Sequence, residues 1–481
     1  MKFTQRLREE FSFIRGNYLI LVISWVLMDF ANEMPSLYYG PFVIYDLHAT
    51  AEILGFIGFA SIIALAVVQF PGGYLADRYG RKWLISTLTF GVAFSFIFYV
   101  FAPSWEWILI GAIIGNLCLL YQPALMAMIS DSTPAEKRGM AFSLTTLIGN
   151  VATTPAPIVA GIIVAVFTRA IGMRIAYGLV VLLYLSAAIL RSRLTETIKT
   201  DERIELLGGQ KLFGSGRSTE ALGYVLLFAV SVAGAVFHNL WWLFPGVVFG
   251  LLAITVMIEN RQALSRQLAR GRGFFAMYSR SITESVAVWK KVPRSAFFLF
   301  IANLLMTFGI SLGQLFFAVY AVEGEKSVLN ISQIDWALVS TALFITMILV
   351  AIPIGKAIDK VGRKVPLLLS HLVFIPAVLF FVYGDLPRLF LAMPLLGLGQ
   401  LLFFSSFASL QTDMVPRENR AKVIGFSQFV GYVFMALGLL AGGIIYAFSP
   451  QLPFFLLMMF TVPSFIIVFF LVHEPEQRQA G

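Results

Sequence analysis

Gly73-Tyr74-Leu75-Ala76-Asp77-Arg78-Tyr79-Gly80-Arg81-Lys82 closes one long apolar run and opens the next, and the chain carries the same pattern twice. Its partner is Gly355-Lys356-Ala357-Ile358-Asp359-Lys360-Val361-Gly362-Arg363-Lys364, at an offset of 282 residues (355 − 73 = 282). A second pair keeps that spacing: Asp131-x-x-Pro134-x-Glu136-x-Arg138 recurs as Asp413-x-x-Pro416-x-Glu418-x-Arg420. Gly149 maps onto Gly431 and Gly161 onto Gly443. Agreement at four places marks an internal duplication, the usual sign of two halves of one membrane machine.

The sequence around these loops is that of a bilayer protein. With 59% apolar and 13% charged residues, the 481-residue chain excludes a soluble enzyme, a nucleic-acid binder and a single-anchor receptor. Uncharged runs near the ~20 residues needed to span predict six helices at about 18–45, 53–75, 84–102, 108–129, 141–167 and 175–190. Six more are expected at about 296–322, 336–357, 366–383, 389–412, 423–448 and 453–472. Between the sets, charged stretches flank an apolar hairpin at about 221–258 whose tip holds Trp241, Trp242 and Pro245. The expected architecture is all-α and integral to the membrane. It has two pseudo-symmetric six-helix bundles, residues 1–193 and 294–481, joined by 194–293 with the hairpin inserted, about fourteen spans in all.

Charge placement tests the threading. With the N-terminus inside, the outer loops receive Arg169, Arg174, Lys326 and Arg388, only 4 of the 35 Lys and Arg. The net charge of +9 is therefore an orientation signal rather than a nucleic-acid surface. Both termini are expected in the cytoplasm, with the chain in the cytoplasmic membrane. One cysteine, Cys118, leaves no intramolecular disulfide, and the first residues contain no signal-peptide cleavage pattern. His48, His238, His371 and His473 are read as scattered among loops and helix ends without metal spacing, and no P-loop is present. Neither metal nor cofactor is expected. The expected partners are a small-molecule substrate, protons and the lipid bilayer, with the chain acting as a monomer.

The duplicated Gly-x-x-x-Asp-Arg-x-Gly-Arg-Lys loop resembles the signature of the major facilitator superfamily, and the resemblance covers nearly the whole chain outside the insert. It implies two bundles around a central cavity, alternating access by rocking, and a cavity lined by the first, fourth, seventh and tenth bundle helices. The residues Gly73, Asp77, Arg78, Gly80, Arg81 and Lys82, with Gly355, Asp359, Lys360, Gly362, Arg363 and Lys364, are expected to gate. Arg81 and Arg363 can pair with Asp131 and Asp413, and Arg138 and Arg420 complete the repeated inner-face set. The fifth span keeps only Pro157 and Gly161 of an antiporter-type element.

Ionisable groups at membrane depth are read as functional by default. Of the 26 acids, only Asp29 and Glu33 lie well inside a span, and they are expected to carry the proton. Asn32 and Ser36 share their helical face. At the 282 offset Asn32 maps to Gln314 and Asp29 to Ser311, so a neutral face of Asn303, Thr307, Ser311 and Gln314 is expected opposite, for substrate. Asn116 and Gln122, six residues apart, should not share a face, so at most one should point inward. Gln400 is isolated. No lysine or arginine is expected at the acids' depth, and the cavity reads as sparse and apolar. Together these features predict a proton-coupled exporter of amphipathic or drug-like compounds. A nutrient-uptake permease and a non-transporting sensor are the alternatives.

Overall fold

The computed structural model describes residues 13–134, 137–197, 289, 292–324, 327–415 and 420–474. The hairpin and both charged stretches beside it lie almost wholly outside these residues. Among the described residues every regular element is helical, and eleven helices are long and apolar enough to cross a membrane. In lipid this is forced, because an open backbone would find no hydrogen-bond partner. One of the eleven, covering Val151–Ser192, is broken at Thr168, whose φ of 68° and ψ of 160° lie outside the helical region. Divided at that break it makes two candidate spans, the fifth and sixth, giving twelve among the described residues.

The first helix runs Gly16–Ser36, the second Ala51–Tyr79 and the third Arg81–Val100. The fourth is Trp105–Cys118, a 3-10 turn at Leu119–Tyr121, then Gln122–Asp131. The fifth begins as Arg138–Thr153, bends before Pro155, and continues in Ala156–Ser192, which past Thr168 is the sixth. The seventh to twelfth are Arg294–Gln314, Gln333–Val361, Lys364–Val382, Leu386–Met414, Arg420–Phe448 and Leu452–Leu471. The first span is shorter than its apolar run. Pro35 and Pro41 offer no N–H, and beyond Ser36 the chain continues as a short turn of helix and a π-helical segment, Phe42–Asp46.

The duplication persists with one adjustment. Second-to-fifth helices match eighth-to-eleventh at 282, whereas the first and seventh helices start and end 278 residues apart (294 − 16 = 278). The structural counterparts of Asp29 and Asn32 are therefore Thr307 and Ile310, not Ser311 and Gln314. The difference of four is close to one helical turn, so the sequence register kept the face while missing the level.

The two bundles meet at the end where the first helix finishes and the eighth begins, the outer end by the charge reading. Tyr38 Oη donates to Gln333 O at 2.6 Å, and Trp336 Nε1 donates to Leu37 O at 3.3 Å. Both hydrogen bonds cross between the bundles. Small residues permit the close approach that lipid-embedded helices need. A Cβ on Gly55 would stand 2.7 Å from Leu439 O, and one on Gly161 would stand 2.6 Å from Ala337 Cβ. Towards the inner end, Gly355, Gly425 and Gly431 have nothing within 4 Å of where a Cβ would sit. Among the described residues, the close approaches between the halves lie at the end where the first helix finishes.

Candidate functional site

A cavity of about 730 Å³ lies against the amino-terminal bundle. Its walls come from the first, second, third, fourth and sixth helices, with Gly425, Gln428 and Tyr432 of the eleventh facing them. Asp29 lines it, hydrogen-bonded by the Trp25 side chain. The fifth helix leaves room for that carboxylate, since a Cβ on Gly149 would stand 2.8 Å from Asp29 Oδ2. One turn along, Asn32 Oδ1 accepts from Tyr184 Oη at 2.8 Å. Glu33 does not line the cavity, and its Oε1 accepts from Ser36 Oγ at 2.9 Å.

Arg191 lines the same cavity, contrary to the expectation that no basic group reaches the acids' depth. By chain position it is the penultimate residue of the sixth helix, yet its side chain turns inward and is 1% exposed. Nε donates to Ser24 Oγ at 3.0 Å, NH1 donates to Thr89 Oγ1 at 2.9 Å, and the guanidinium lies 5.1 Å from the Tyr121 ring centroid. Ser24 and Thr89 each sit eight residues into their helices, ~12 Å along. A reading that assigns charges by the ends of apolar runs places Arg191 in the loop, because sequence gives no direction to a long side chain. The available signal was the pair of hydroxyls at equal depth on the two helices, the first and the third, that both pack against the sixth.

Asn116 and Gln122 both line the cavity, which corrects the expectation that at most one does. The 3-10 turn at Leu119–Tyr121 supplies the reason. Six residues at about 100° each put two side chains about 240° apart. Three of those steps at about 120° bring them to about 300°, within about 60° of a common face. Gln122 Oε1 then accepts from Gln69 Nε2 at 3.2 Å. Gln69, Asn116, Gln122, Asn32, Tyr184 and Arg191 stand among Met28, Val92, Phe96, Leu119, Leu125 and Met126, so the wall is mixed, apolar as expected over much of its area but not sparse in hydrogen-bonding groups.

The neutral stripe of the seventh helix is elsewhere. Asn303, Thr307, Ser311, Gln314 and Gln400 are absent from the cavity wall, as is Ser36. Ser311 is buried and donates to Thr307 O at 2.6 Å, and Gln314 is exposed. The reason lies in packing: the seventh helix sits against the eleventh and twelfth, with Gly309 close to Phe460 and Gly438 close to Phe308. His371, read as a loop or helix-end residue, lies within the ninth helix and is 1% exposed. Its Nδ1 donates to Leu367 O at 2.7 Å and Nε2 faces Ser464 Oγ at 2.8 Å, while Ser464 Oγ donates to Ala302 O at 3.0 Å.

The repeated inner loops form matched constructions. Arg81 pairs with Asp131, and Arg363 Nε lies 2.9 Å from Asp413 Oδ2. Gly80 and Gly362 have φ of 97° and 98°, the left-handed side that only glycine adopts without strain. Each loop also has an acid absent from the sequence reading. Glu196 accepts from the backbone N–H groups of Arg81 at 3.3 Å and Lys82 at 3.1 Å, and Glu474 accepts from those of Arg363 and Lys364. A carboxylate at a helix N-terminus is favourable electrostatically. Lys82, Lys364, Lys360 and Arg420 are at the same inner face, and Lys364 Nζ donates to Phe469 O at 2.8 Å. The side chains of Asp77, Arg78, Arg138 and Asp359 lie outside the described residues, and Gly73 and Gly355 sit within the second and eighth helices.

Comparison with known proteins agrees with this architecture. The crystal structure of the peptide transporter POT in complex with sulfate superposes with a TM-score of 0.61 at 16% identity, covering 95% of this chain and 93% of that one. The nucleoside transporter NupG gives a TM-score of 0.59 at 15% identity, covering 94% and 98%. In sequence, an uncharacterised MFS-type transporter of Bacillus subtilis (strain 168), YqjV, is 31% identical over 97 residues, 20% of this chain and 24% of that relative's length. The family model of the Major Facilitator Superfamily matches residues 21–214 and 299–481, spanning both halves and stopping at the insert. This chain is a membrane transporter of the major facilitator superfamily.

Proposed function

We propose that the chain is a proton-coupled secondary transporter carrying a small polar solute through the cavity beside Asp29. The observation that carries this reading is the placement of a carboxylate at mid-membrane depth in a wall of hydrogen-bonding side chains. An intramembrane acid with no transport role would be a costly fixture. Opening to one side loads the carboxyl group with a proton. Opening to the other, with solute or water entering, releases it. Glu33, one turn further out and outside the wall, supports transfer rather than serving as the main carrier.

Export of amphipathic compounds was expected from a sparse, apolar cavity, and the hydrogen-bonding side chains in the mixed wall support the uptake alternative instead. That peptide and nucleoside carriers share the fold agrees with a polar cargo, though at such low identity the fold alone is common to them. The paired inner loops act as the gate in this proposal, with Arg81–Asp131 and Arg363–Asp413 bracing each bundle where the halves must close. The test is solute-driven proton movement in vesicles of known orientation, recorded with an interior pH dye. Acidification of the compartment that the solute enters supports symport. Protons leaving as solute enters would instead establish antiport and return the reading to export. Solute movement with no proton flux would remove Asp29 as the carrier.

A further inference from the structure

Arg191 has an environment that its structural role does not explain. The residue is 1% exposed, its guanidinium held by two neutral hydroxyls and a ring face; it acts electrostatically on Asp29 but makes no contact ion pair with any described residue. A buried cation with no carboxylate in direct contact is costly. The tie it makes does not require a cation, because the other half makes the equivalent tie without one. Ser24 corresponds to Ala302 at the 278 register, and Thr89 to His371 at 282 (371 − 89 = 282). There the helices are joined by Ser464 bridging His371 and Ala302 O, outside the cavity wall. The arginine is thus additional to what the architecture needs, and it stands in the wall that holds Asp29.

We infer that this cavity carries small organic monoanions, each entering with one proton. The inference rests on the transport reading above and supplies its substrate class. With Asp29 ionised and Arg191 cationic, the described residues of the empty wall sum to zero charge. A proton on Asp29 leaves it at plus one, and a carboxylate solute restores zero. The two states that must reorient, empty and doubly loaded, are both neutral. The proton alone or the anion alone leaves an unbalanced charge in a low-dielectric site, and those states reorient poorly. The groups facing Asp29 are consistent with this balance: Tyr184 and Arg191 from the sixth helix, Tyr121 from the fourth, Tyr99 from the third and Tyr432 from the eleventh line the cavity, and among the described side chains of the fifth it is Gly149 that comes up to the carboxylate. Glu33 on the same helix lies outside the wall, its carboxylate accepting from Ser36.

The experiment uses the full chain in liposomes, with empty liposomes subtracted. Each monocarboxylate of a skeleton-matched library is presented beside its neutral amide and its cationic amine, and both solute entry and internal pH are followed. Carboxylates should enter with protons, with no response to an imposed potassium-diffusion potential. Wild-type apparent affinity should fall about tenfold per pH unit once Asp29 ionises. Asp29→Asn, held at plus one, should keep carboxylate counterflow with a flat pH profile. Arg191→Gln should lose carboxylate transport at least tenfold, and Arg191→Lys should retain part of it. Should Arg191→Gln not fold, the lysine variant and the Asp29→Asn profile carry the decision. Proton-coupled entry of amines or amides, potential-driven carboxylate entry, or undiminished transport by a folded Arg191→Gln would each overturn the monoanion proposal while leaving proton-coupled transport standing. If no solute of any class moves a proton, the transport reading itself fails and the inference goes with it.

Discussion

The two halves of the molecule bury polar groups at matching places and use them differently. In the amino-terminal half, Ser24, Thr89 and Arg191 meet in the wall of a cavity that also holds Asp29. In the carboxy-terminal half, Ala302, His371 and Ser464 meet beside the rings of Phe403 and Phe465, away from that cavity. The inner loops are nearly superimposable in their chemistry, down to the positive-φ glycine and the acid on the helix N-terminus. Duplication has therefore preserved the loop constructions in both halves, while the ionisable groups of the cavity wall lie in one of them. Removing an ionisable group should matter most in the first half, whereas breaking a loop should cost the two halves similarly.

The largest effect is expected at Asp29. Asp29→Asn should abolish accumulation driven by a pH gradient while sparing downhill exchange, because exchange needs no change in protonation. Thr307→Ala, at the equivalent level of the seventh helix, should leave accumulation within about twofold, because the bond from Ser311 Oγ is accepted by the Thr307 backbone carbonyl, which alanine keeps. Glu33→Gln should lie between them. Accumulation assays beside counterflow decide the order. An equal loss at Thr307 would show that the site is shared between the halves.

A smaller difference is expected between Gly149→Ala and Gly431→Ala. The first places a methyl 2.8 Å from Asp29 Oδ2, and the second meets nothing within 4 Å. A short carboxylate can swing aside, so Gly149→Ala should cost little stability. It should still displace the carboxylate from its Trp25 contact and lower coupled transport by about tenfold, roughly the 1.4 kcal/mol of one charge-assisted hydrogen bond. Gly431→Ala should be near neutral. Equal activity in the two variants would mean that the position of Asp29 is not set by the fifth helix.

How far these differences are legible in the sequence depends on what kind of object each is. The twelve described helices, the duplication and the two loop ion pairs follow from run length and spacing, which are properties of the chain taken locally. The cavity is a property of turns and long side chains. A single 3-10 turn brought Asn116 and Gln122 together, a four-residue change in loop length moved the seventh helix one turn, and Arg191 reached inward from a helix end. None of these alters hydropathy, so none is visible to a reading based on apolar runs. Asp29 was found because a carboxylate inside a span is conspicuous by itself.

The loop ion pairs should be separable by stability. Asp131 has 39% of its side-chain surface exposed and Asp413 has 19%. Water screens the first pair more, so Arg81→Ala should lower stability by about 0.5 kcal/mol and Arg363→Ala by about 1 to 2 kcal/mol. Thermal unfolding in detergent, repeated at high salt, checks both. The Arg81 pair should respond more to salt. The reverse ranking would mean that exposure does not control these contacts.

The smallest effect concerns a place where the halves solve the same turn differently. Between the eleventh and twelfth helices the chain passes through Ser449-Pro450-Gln451 without a positive φ, whereas the fifth and sixth are joined at Thr168 with φ 68° and ψ 160°. That conformation is close to glycine-only and costs a β-branched residue roughly 1 to 3 kcal/mol. Thr168→Gly should relieve it, and the added freedom of glycine in the unfolded chain returns roughly 0.5 to 1 kcal/mol. The net expectation is a gain of about 1 kcal/mol in unfolding free energy, read as a small rise in the thermal midpoint. Its neighbour Arg169 donates from Nε to Asp46 Oδ2 at 2.7 Å and covers the Tyr45 ring, so the junction is anchored independently of Thr168. The gain should therefore appear without loss of transport. A drop in stability would mean that the threonine side chain holds the junction and that the strain is offset by contacts glycine cannot make.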